Sequence, residues 1–391
     1  MHPCFINRIH LMKADFPQRK KQTKEVRQRN EALAERYNQD GLFPKVVLFA
    51  DGPESSTALP YHHWNVDVFI EHIKDEIKAH THRIYEHQEI LMGTAFSLAI
   101  VDTIGSNRSQ ELLDNSVRKI RTLEHLISEW IDTTEVSRLN ALAGKDTLQV
   151  DPELYQLIER SKMLSGITQG AFDITFGTLS PLWDFNGKEA VIPANDKIAK
   201  ALQKTGHEHI HLLENRQVYL ENEGMKIGFG GMGKGYSADR VKEMLEANGI
   251  EDGVINASGD LVAWGNPPGE EFWKIAIADP NAPDQIFCWL PIKNKAVATS
   301  GDYEKYVLID GRRHAHIIDP KTGYPTSGIK SATVISPSAE LSDALATAIF
   351  VLGLENGLDL IEQLPQAESL IIDDENNFHF SSNLDFIKNE K

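Results

Sequence analysis

The sequence predicts an α+β protein: a small α/β piece at the N-terminus, then a larger α+β domain. Three observations lead to this class. Residues 22–37 (QTKEVRQRNEALAERY), 44–49 (PKVVLF) and 66–80 (VDVFIEHIKDEIKAH) read in order as a charged surface helix, a strand and an amphipathic helix. A second unit opens at 87–103 (HQEILMGTAFSLAIVDT), read as one strand of mixed alternation. The helix expected over 109–131 follows, with Leu112, Val117, Ile120, Leu123 and Ile127 on one face. Beyond it, strand and helix patterns mix without a regular βαβα period, and there is no internal repeat or low-complexity tract.

The chain of 391 residues is long enough for two or three domains of roughly 150 residues each. A net charge of -17 argues against nucleic-acid binding, which runs on positive fields. The one basic run, Arg19-Lys20-Lys21-x-x-Lys24, is followed by acidic residues. Cys4 and Cys288 stand far apart, with no CxxC and no Cys/His zinc spacing, so no disulfide framework is expected. No stretch approaches the ~18 apolar residues of a membrane span. The first residues, MHPCFINRIHLMKADF, lack the positive segment and apolar core of an export signal.

The densest motif is KIGFGGMGKGYSADRV, residues 226–241. Gly228-x-Gly230-x-x-Gly233 has the spacing of a dinucleotide-binding turn, and Gly228-x-x-x-x-Gly233-Lys234 is one residue short of a Walker A loop. A Rossmann unit needs an acid at the end of its second strand; Glu251 and Asp252 precede the strand GVINA (253–257). The preceding strand, MKIGF, is short and half polar. A Walker A loop needs Ser or Thr after the lysine, where this chain has Gly235. The physics common to both motifs remains. Five glycines in eight residues let a ligand approach the backbone closely. The helix that follows offers amides and its dipole to a phosphate. The loop carbonyls could instead ligate a hard cation, and Lys234 could neutralise phosphate charge. A tight turn without a ligand fits the same residues.

SAELSDALATAIFVLG (338–353) reads as a helix capped by Ser338 and ended by Gly353, with Leu341, Leu345, Ile349 and Leu352 toward the core. Asp343 and Thr347, four apart, project from one face. A carboxylate and a hydroxyl so placed suit Mg²⁺, which keeps waters and substrate phosphates as its other ligands. A first-turn Asp facing the helix dipole, with an incidental Thr, would look the same. VATSGDYEKY (297–306) reads as a strand entering a turn at Ser300, Gly301 and Asp302. In HAHIIDPKTGYP (314–325), HII reads as a strand, DPKTG as a type I turn, and His316 as a satisfied core histidine. GAFDITFGTLSPLWDF (170–185) gathers Phe172, Phe176, Trp183 and Phe185, either as core or as a surface for a flat ring.

Two resemblances follow from these residues. The N-terminal piece, through NEALAERYNQDGLFPKVVLFADG (30–52) and the helix from 66, resembles the C-terminal two-thirds of a thioredoxin-like domain. That likeness implies a cis-proline at Pro44 and places the redox cysteines before Met1, outside this sequence. It leaves the piece a structural or partner-docking role.

From about residue 88 to 375 the motifs resemble, in order, those of the FAD:protein FMN transferase (ApbE) family. They are MGTAFSLAIV, EVSRLNA, GAFDITFGTLSPLW, GFGGMGKGYSADRV, INASGDLVAWG, ATSGDY, HIIDPKTG and SDALATA. The resemblance implies an α+β flavin transferase domain over 86–391, after a partial thioredoxin-like domain over 1–85. It implies Mg²⁺-dependent transfer of FMN from FAD to a threonine or serine of a target protein bearing a Ser/Asp-Gly-Ala-Thr/Ser motif, with release of AMP. By position it implies Asp343, Thr347 and the carbonyl of Gly233 as metal ligands. Met92, Ala171, Phe172, Asp173, Gly230, Lys234, Tyr236, Ser300, His316 and Ile317 fall where the family contacts FAD. Asp302 and His316 are candidate bases, and Lys234 a source of positive charge. Gly233 stands where alanine is usual, and Ala346 where some relatives carry a further acid. The chain has no Gly-Ala-Thr or Gly-Ala-Ser of its own, so another protein is the expected acceptor. The family usually works outside the cytoplasm, often lipid-anchored. The same site would serve an FAD pyrophosphatase giving FMN and AMP, and a protein that only stores or delivers FAD would share its flavin contacts.

Overall fold

The computed structural model describes Lys78 and residues 81–185, 191–303, 305–384 and 387–388. The thioredoxin-like piece, with Pro44 and Cys4, lies outside the described residues. Ile84–Lys391 forms one compact unit.

That unit is built on an eight-stranded sheet. Its strands, in chain order, are β1 (His82–Leu91), β2 (Thr94–Thr103), β6 (Gly253–Ala257), β7 (Asp260–Trp264), β10 (Lys295–Gly301), β13 (Ile329–Ser336), β14 (Glu368–Asp373) and β15 (Phe378–Phe380). They lie in that same order across the sheet, and from β2 to β15 every pairing is antiparallel. Three smaller sheets complete the strands. One holds β3 (Leu148–Gln149), β4 (Ile210–Leu213) and β5 (Gln217–Leu220). Another holds β8 (Trp273–Asp279), β9 (Ala282–Ile292) and β16 (Ile387–Lys388). The last is the hairpin β11 (Tyr306–Ile309) and β12 (Arg312–Ala315).

Period-two alternation gives the main sheet two apolar faces. Leu98, Ile255, Val262, Ala296, Val334 and Ile371 point to one side, where three helices cover them: α1 (Arg108–Ile127), α5 (Gly233–Ala247) and α6 (Ala339–Glu362). Their neighbours Val101, Leu261, Val297, Ile335 and Leu370 face the other way, against Trp273, Ile277, Cys288 and Leu290 of β8 and β9. The result is three layers, helices on sheet on sheet. Three shorter helices, α2 (Glu135–Ala141), α3 (Pro152–Ile167) and α4 (Asn195–Leu202), flank them.

Several expectations change. The single strand over 87–103 is two strands, because Met92 (φ 51°) and Gly93 (φ 74°) turn the chain back. MKIGF is not a strand. Gly353 does not end α6: it takes φ 76° and ψ 179°, and the helix resumes to Glu362, carried by the apolar face of Leu354, Leu358 and Ile361. HII lies past the end of β12 and forms only a bridge, Ile318 to Pro325. Pro325 has no N–H to continue a ladder.

Helix α6 is long and apolar enough to cross a membrane by length and composition, against the expectation that no stretch is. Its Leu345, Ile349 and Phe350 are buried against β13 and β14, which makes it a core helix.

Helices α5 and α6 are joined at their starts. Ser338 caps α6 by accepting from the Leu341 N–H at 3.2 Å. Asp239 of α5 accepts from the N–H groups of Ala339 (2.9 Å) and Glu340 (2.8 Å). Burial pushes the Asp239 carboxyl up to about 6, against the pull of those two N–H groups. A carboxyl whose folded pKa lies above its unfolded value favours folding at low pH. That contribution is complete below about pH 4 and is lost as pH rises through about 6. In Asp239→Asn the decline of unfolding free energy between those limits is therefore expected to flatten, read by urea unfolding at a series of pH values. An unchanged decline would remove Asp239 as its source.

Candidate active site

The glycine stretch reaches α5 through a set of clamps from distant elements. Asn140 at the end of α2 holds both sides of one residue: its amide donates to Ile227 O (2.9 Å) and its carbonyl accepts from Ile227 N (2.8 Å). Thr178 Oγ1 accepts from Lys226 N at 2.9 Å, and Gly228 N donates to Ile174 O at 2.8 Å. These bonds replace the strand ladder the sequence suggests. Residues 228–233 then lead into the first turn of α5, where Met232 N and Gly233 N both donate to Phe229 O (3.1 and 2.7 Å).

Helix α6 presents its Asp343–Thr347 face to this run. The Gly235 N–H donates to Asp343 Oδ2 at 3.3 Å. A Cβ on Gly231 would lie 3.1 Å from Thr347 Oγ1, so the backbone at 231 passes directly over that hydroxyl. Gly233 O accepts from Ser237 Oγ at 2.8 Å. Carboxylate, hydroxyl and carbonyl therefore come from two helices that meet at residue 235. All three are hard oxygen donors, the set Mg²⁺ takes.

Several expected flavin contacts collect around the same loop. Met92 lies over the start of α5, its Sδ 3.3 Å from Ser237 Oγ. Phe172 packs under Gly231, with its Cε2 3.5 Å from the position a Cβ would take there; Phe176 stands in the same way 3.4 Å from Gly230. Ala171 and Phe172 are buried in the core beneath the loop, whereas Trp183 and Phe185 belong to a separate cluster with Leu179 and Ile318.

Two expected contacts are occupied by the fold. The Asp173 carboxylate accepts from Thr175 N (2.8 Å), Thr175 Oγ1 (2.7 Å) and His207 N (2.8 Å), and so pins the turn before β4. The Tyr236 ring is buried, with Arg160 and Arg240 over it, and its hydroxyl donates to Glu153 at 2.8 Å. Burial, and then that hydrogen bond, raise the phenol well above its ordinary range.

Lys234 pairs with Asp260, which burial pushes above the ordinary carboxylate range despite the ammonium beside it. His316 senses this lysine. Its Nδ1 is buried without a hydrogen-bond partner among the described residues, and the Phe185 ring stands edge-on at 6.4 Å. Burial, with the charges of Lys305 and Lys234, lowers the imidazole to about 4. Asp302 is placed differently. It is buried at the end of β10, its Oδ1 has no partner among the described residues, and its charged surroundings are Arg313, Asp374 and Lys330. Burial raises its carboxyl. None of these neighbours belongs to the glycine loop. Ser300 pairs across to Ala332 in the sheet, and Ile317 O accepts from Thr326 N at 2.9 Å.

The model of the ApbE family matches residues 92–371, from Met92 to Ile371. The chain belongs to the ApbE family. It is 29% identical over 306 residues to an FAD:protein FMN transferase of Treponema pallidum, covering 74% of this chain and 84% of the relative. It is 31% identical over 282 residues to one of Vibrio cholerae, covering 70% and 84%. In solved structures, the fold is similar to the ApbE protein of Thermotoga maritima, with TM-score 0.70 and 32% identity over 77% of this chain and 97% of that one. It is similar also to the flavinyl transferase ApbE of Pseudomonas stutzeri in its apo form, with TM-score 0.70 and 27% identity over 77% and 96%.

Within this ApbE domain, Gly233 in place of the usual alanine has a simple reading. A Cβ there would stand 3.0 Å from Ile127 Cδ1, the end of a flexible side chain. A shift of a few tenths of an ångström in Ile127 would admit alanine. The structure also adds residues that the motifs contain without distinguishing them: Asn140, Asp239 and Asp260. Beside the loop lies a cavity of about 260 Å³ lined by Glu129, Trp130, Asp132, Asn140 and Lys226 among others. Trp130 is 77% exposed at its edge. Trp130 and the glycine stretch lie far apart in the sequence, so no local signal joined them.

Proposed function

We propose that this chain transfers FMN from FAD to a threonine or serine hydroxyl of a target protein, releasing AMP. The observation that carries the reading is the meeting of the glycine loop at the α5 N-terminus with Asp343 and Thr347 of α6. Family membership and the named activity of its relatives support it.

The loop amides and the α5 dipole hold the diphosphate of FAD. Met92 and the exposed Trp130 offer apolar and aromatic surface to the flavin. Asp343, Thr347 and the Gly233 carbonyl would hold Mg²⁺, the carbonyl through the lone pair that Ser237 leaves free. When bound, the metal neutralises diphosphate charge and stabilises the AMP leaving group. The acceptor oxygen forms a bond to the FMN phosphorus, the bond from that phosphorus to the AMP oxygen breaks, and the hydroxyl proton passes to a base. Lys234, fixed by Asp260, adds positive charge beside the loop.

We take His316 as the base ahead of Asp302 because the charge of Lys234, at the loop, acts on His316, whereas the charged neighbours of Asp302 lie away from the loop. A base must be unprotonated, so transfer is retained above its pKa and lost as pH falls through about 4. His316→Ala is expected to slow transfer about 10²-fold or more and to abolish that acid limb. A limb near the ordinary histidine value would point to another group. The reading as a whole is tested by incubating a carrier protein bearing Asp-Gly-Ala-Thr with this chain, FAD and Mg²⁺. In-gel flavin fluorescence is expected on the carrier and not on its Thr→Val variant; a dark carrier beside consumed FAD would favour the pyrophosphatase.

A further inference from the structure

The clamps on the glycine stretch stop at residue 228, and the residues that carry the ligand-facing backbone come next. One side chain from elsewhere covers this junction. Glu129 follows α1 by two residues, and its carboxylate lies over Gly228: a Cβ there would be 2.5 Å from Oε1 and 2.9 Å from Cδ, with no atom of another residue among its three nearest neighbours. Burial raises the pKa of this carboxyl, against hydrogen bonds from its own backbone N–H and, more weakly, from the backbone N–H of Phe229. The segment bearing it is anchored. Thr134 Oγ1 donates to Ser128 O at 2.7 Å, Trp130 N to Ser128 Oγ at 3.2 Å, and Ser137 Oγ to Glu129 O at 3.4 Å.

We propose that Glu129 is a positioning residue for the FAD-binding loop: laid over Gly228 and aimed at Phe229 N–H, it fixes the backbone whose next residues face the diphosphate. The inference rests on the function proposed above. It also accounts for glycine at 228, whose φ is not in the left-handed region. The position needs no special backbone conformation; it needs room for a carboxylate.

The consequence is a specific non-additivity. Gly228→Ala would push the Glu129 carboxylate off the loop, so it should reproduce Glu129→Ala. Once Glu129 is alanine, nothing remains for the new methyl to displace. FAD affinity, measured by quenching of flavin fluorescence in the full chain, is expected to fall about tenfold in each single variant. It should fall no further in the double variant. Glu129→Gln keeps an oxygen acceptor and is expected to stay within about twofold of wild type. The thermal midpoint should be unchanged throughout, and at saturating FAD the transfer rate should recover. Losses that multiply in the double variant, or a Glu129→Ala affinity equal to wild type, would overturn the assignment. Wild-type chain that binds no FAD at all would instead overturn the function on which it rests.

Discussion

Asp343→Asn is expected to reduce FMN transfer by about 10³-fold or more while the chain still unfolds cooperatively. Asparagine keeps the size of the side chain and an oxygen to accept the Gly235 N–H, so packing between α5 and α6 survives. What is lost is the negative charge, the one anionic donor in a set otherwise made of a hydroxyl and a carbonyl. Mg²⁺ binds hard anionic oxygens through charge and sheds its water reluctantly. Raising Mg²⁺ concentration should therefore recover part of the rate in the variant, and in wild type should saturate early. The measurement is transfer rate against Mg²⁺ concentration for both proteins. Identical curves would remove Asp343 from the metal site, and a variant that no longer unfolds cooperatively would assign it to folding alone.

Gly235→Ala is expected to destabilise the domain by about 3 kcal/mol or more. The methyl would meet Ala339 O at 2.2 Å, its carbonyl carbon at 2.5 Å and Glu340 N at 2.9 Å. These are backbone atoms at the start of α6, held by the Ser338 cap and by Asp239, so neither side can yield locally. The helices must separate, and they carry the proposed metal donors apart as they do. Gly233→Ala, two residues earlier, is the contrast: it meets a flexible Ile127 methyl at 3.0 Å and should cost under about 1 kcal/mol. Urea unfolding of the two variants decides this. Equal stabilities would mean that α5 and α6 do not approach closely at residue 235.

The glycine at 235 also explains why the stretch stops short of a Walker A loop. A phosphate loop of that class needs a hydroxyl after its lysine, whereas here the position serves a helix crossing. The physical reading of the stretch, amides toward an anion and carbonyls toward a cation, depends only on glycine content and on the helix that follows, which begins at Gly233. Helix α6 was legible for the same reason. Ser338, the apolar spacing and the Asp343–Thr347 face are all local.

What escaped the sequence is long-range or conformational. The turn at Met92–Gly93 has a methionine in the left-handed region, a choice no turn statistics favour. Asn140 grips Ile227 across 87 residues, and Asp260 meets Lys234 across 26. No window of sequence contains both partners. Tyr236 and Asp173 show the opposite limit. Each sits within a motif that matches the family, and each has its polar group committed to the fold. Position in a motif placed them at the site without saying which atoms were available.

The most direct measurement is the intact mass of a carrier protein with an Asp-Gly-Ala-Thr segment after incubation with this chain, FAD and Mg²⁺. A gain equal to FMN less one water is expected, with AMP released in equal amount, and neither should occur after chelation or with Asp343→Asn. An unmodified carrier beside free FMN and AMP would contradict the account, because the phosphorus would then have gone to water.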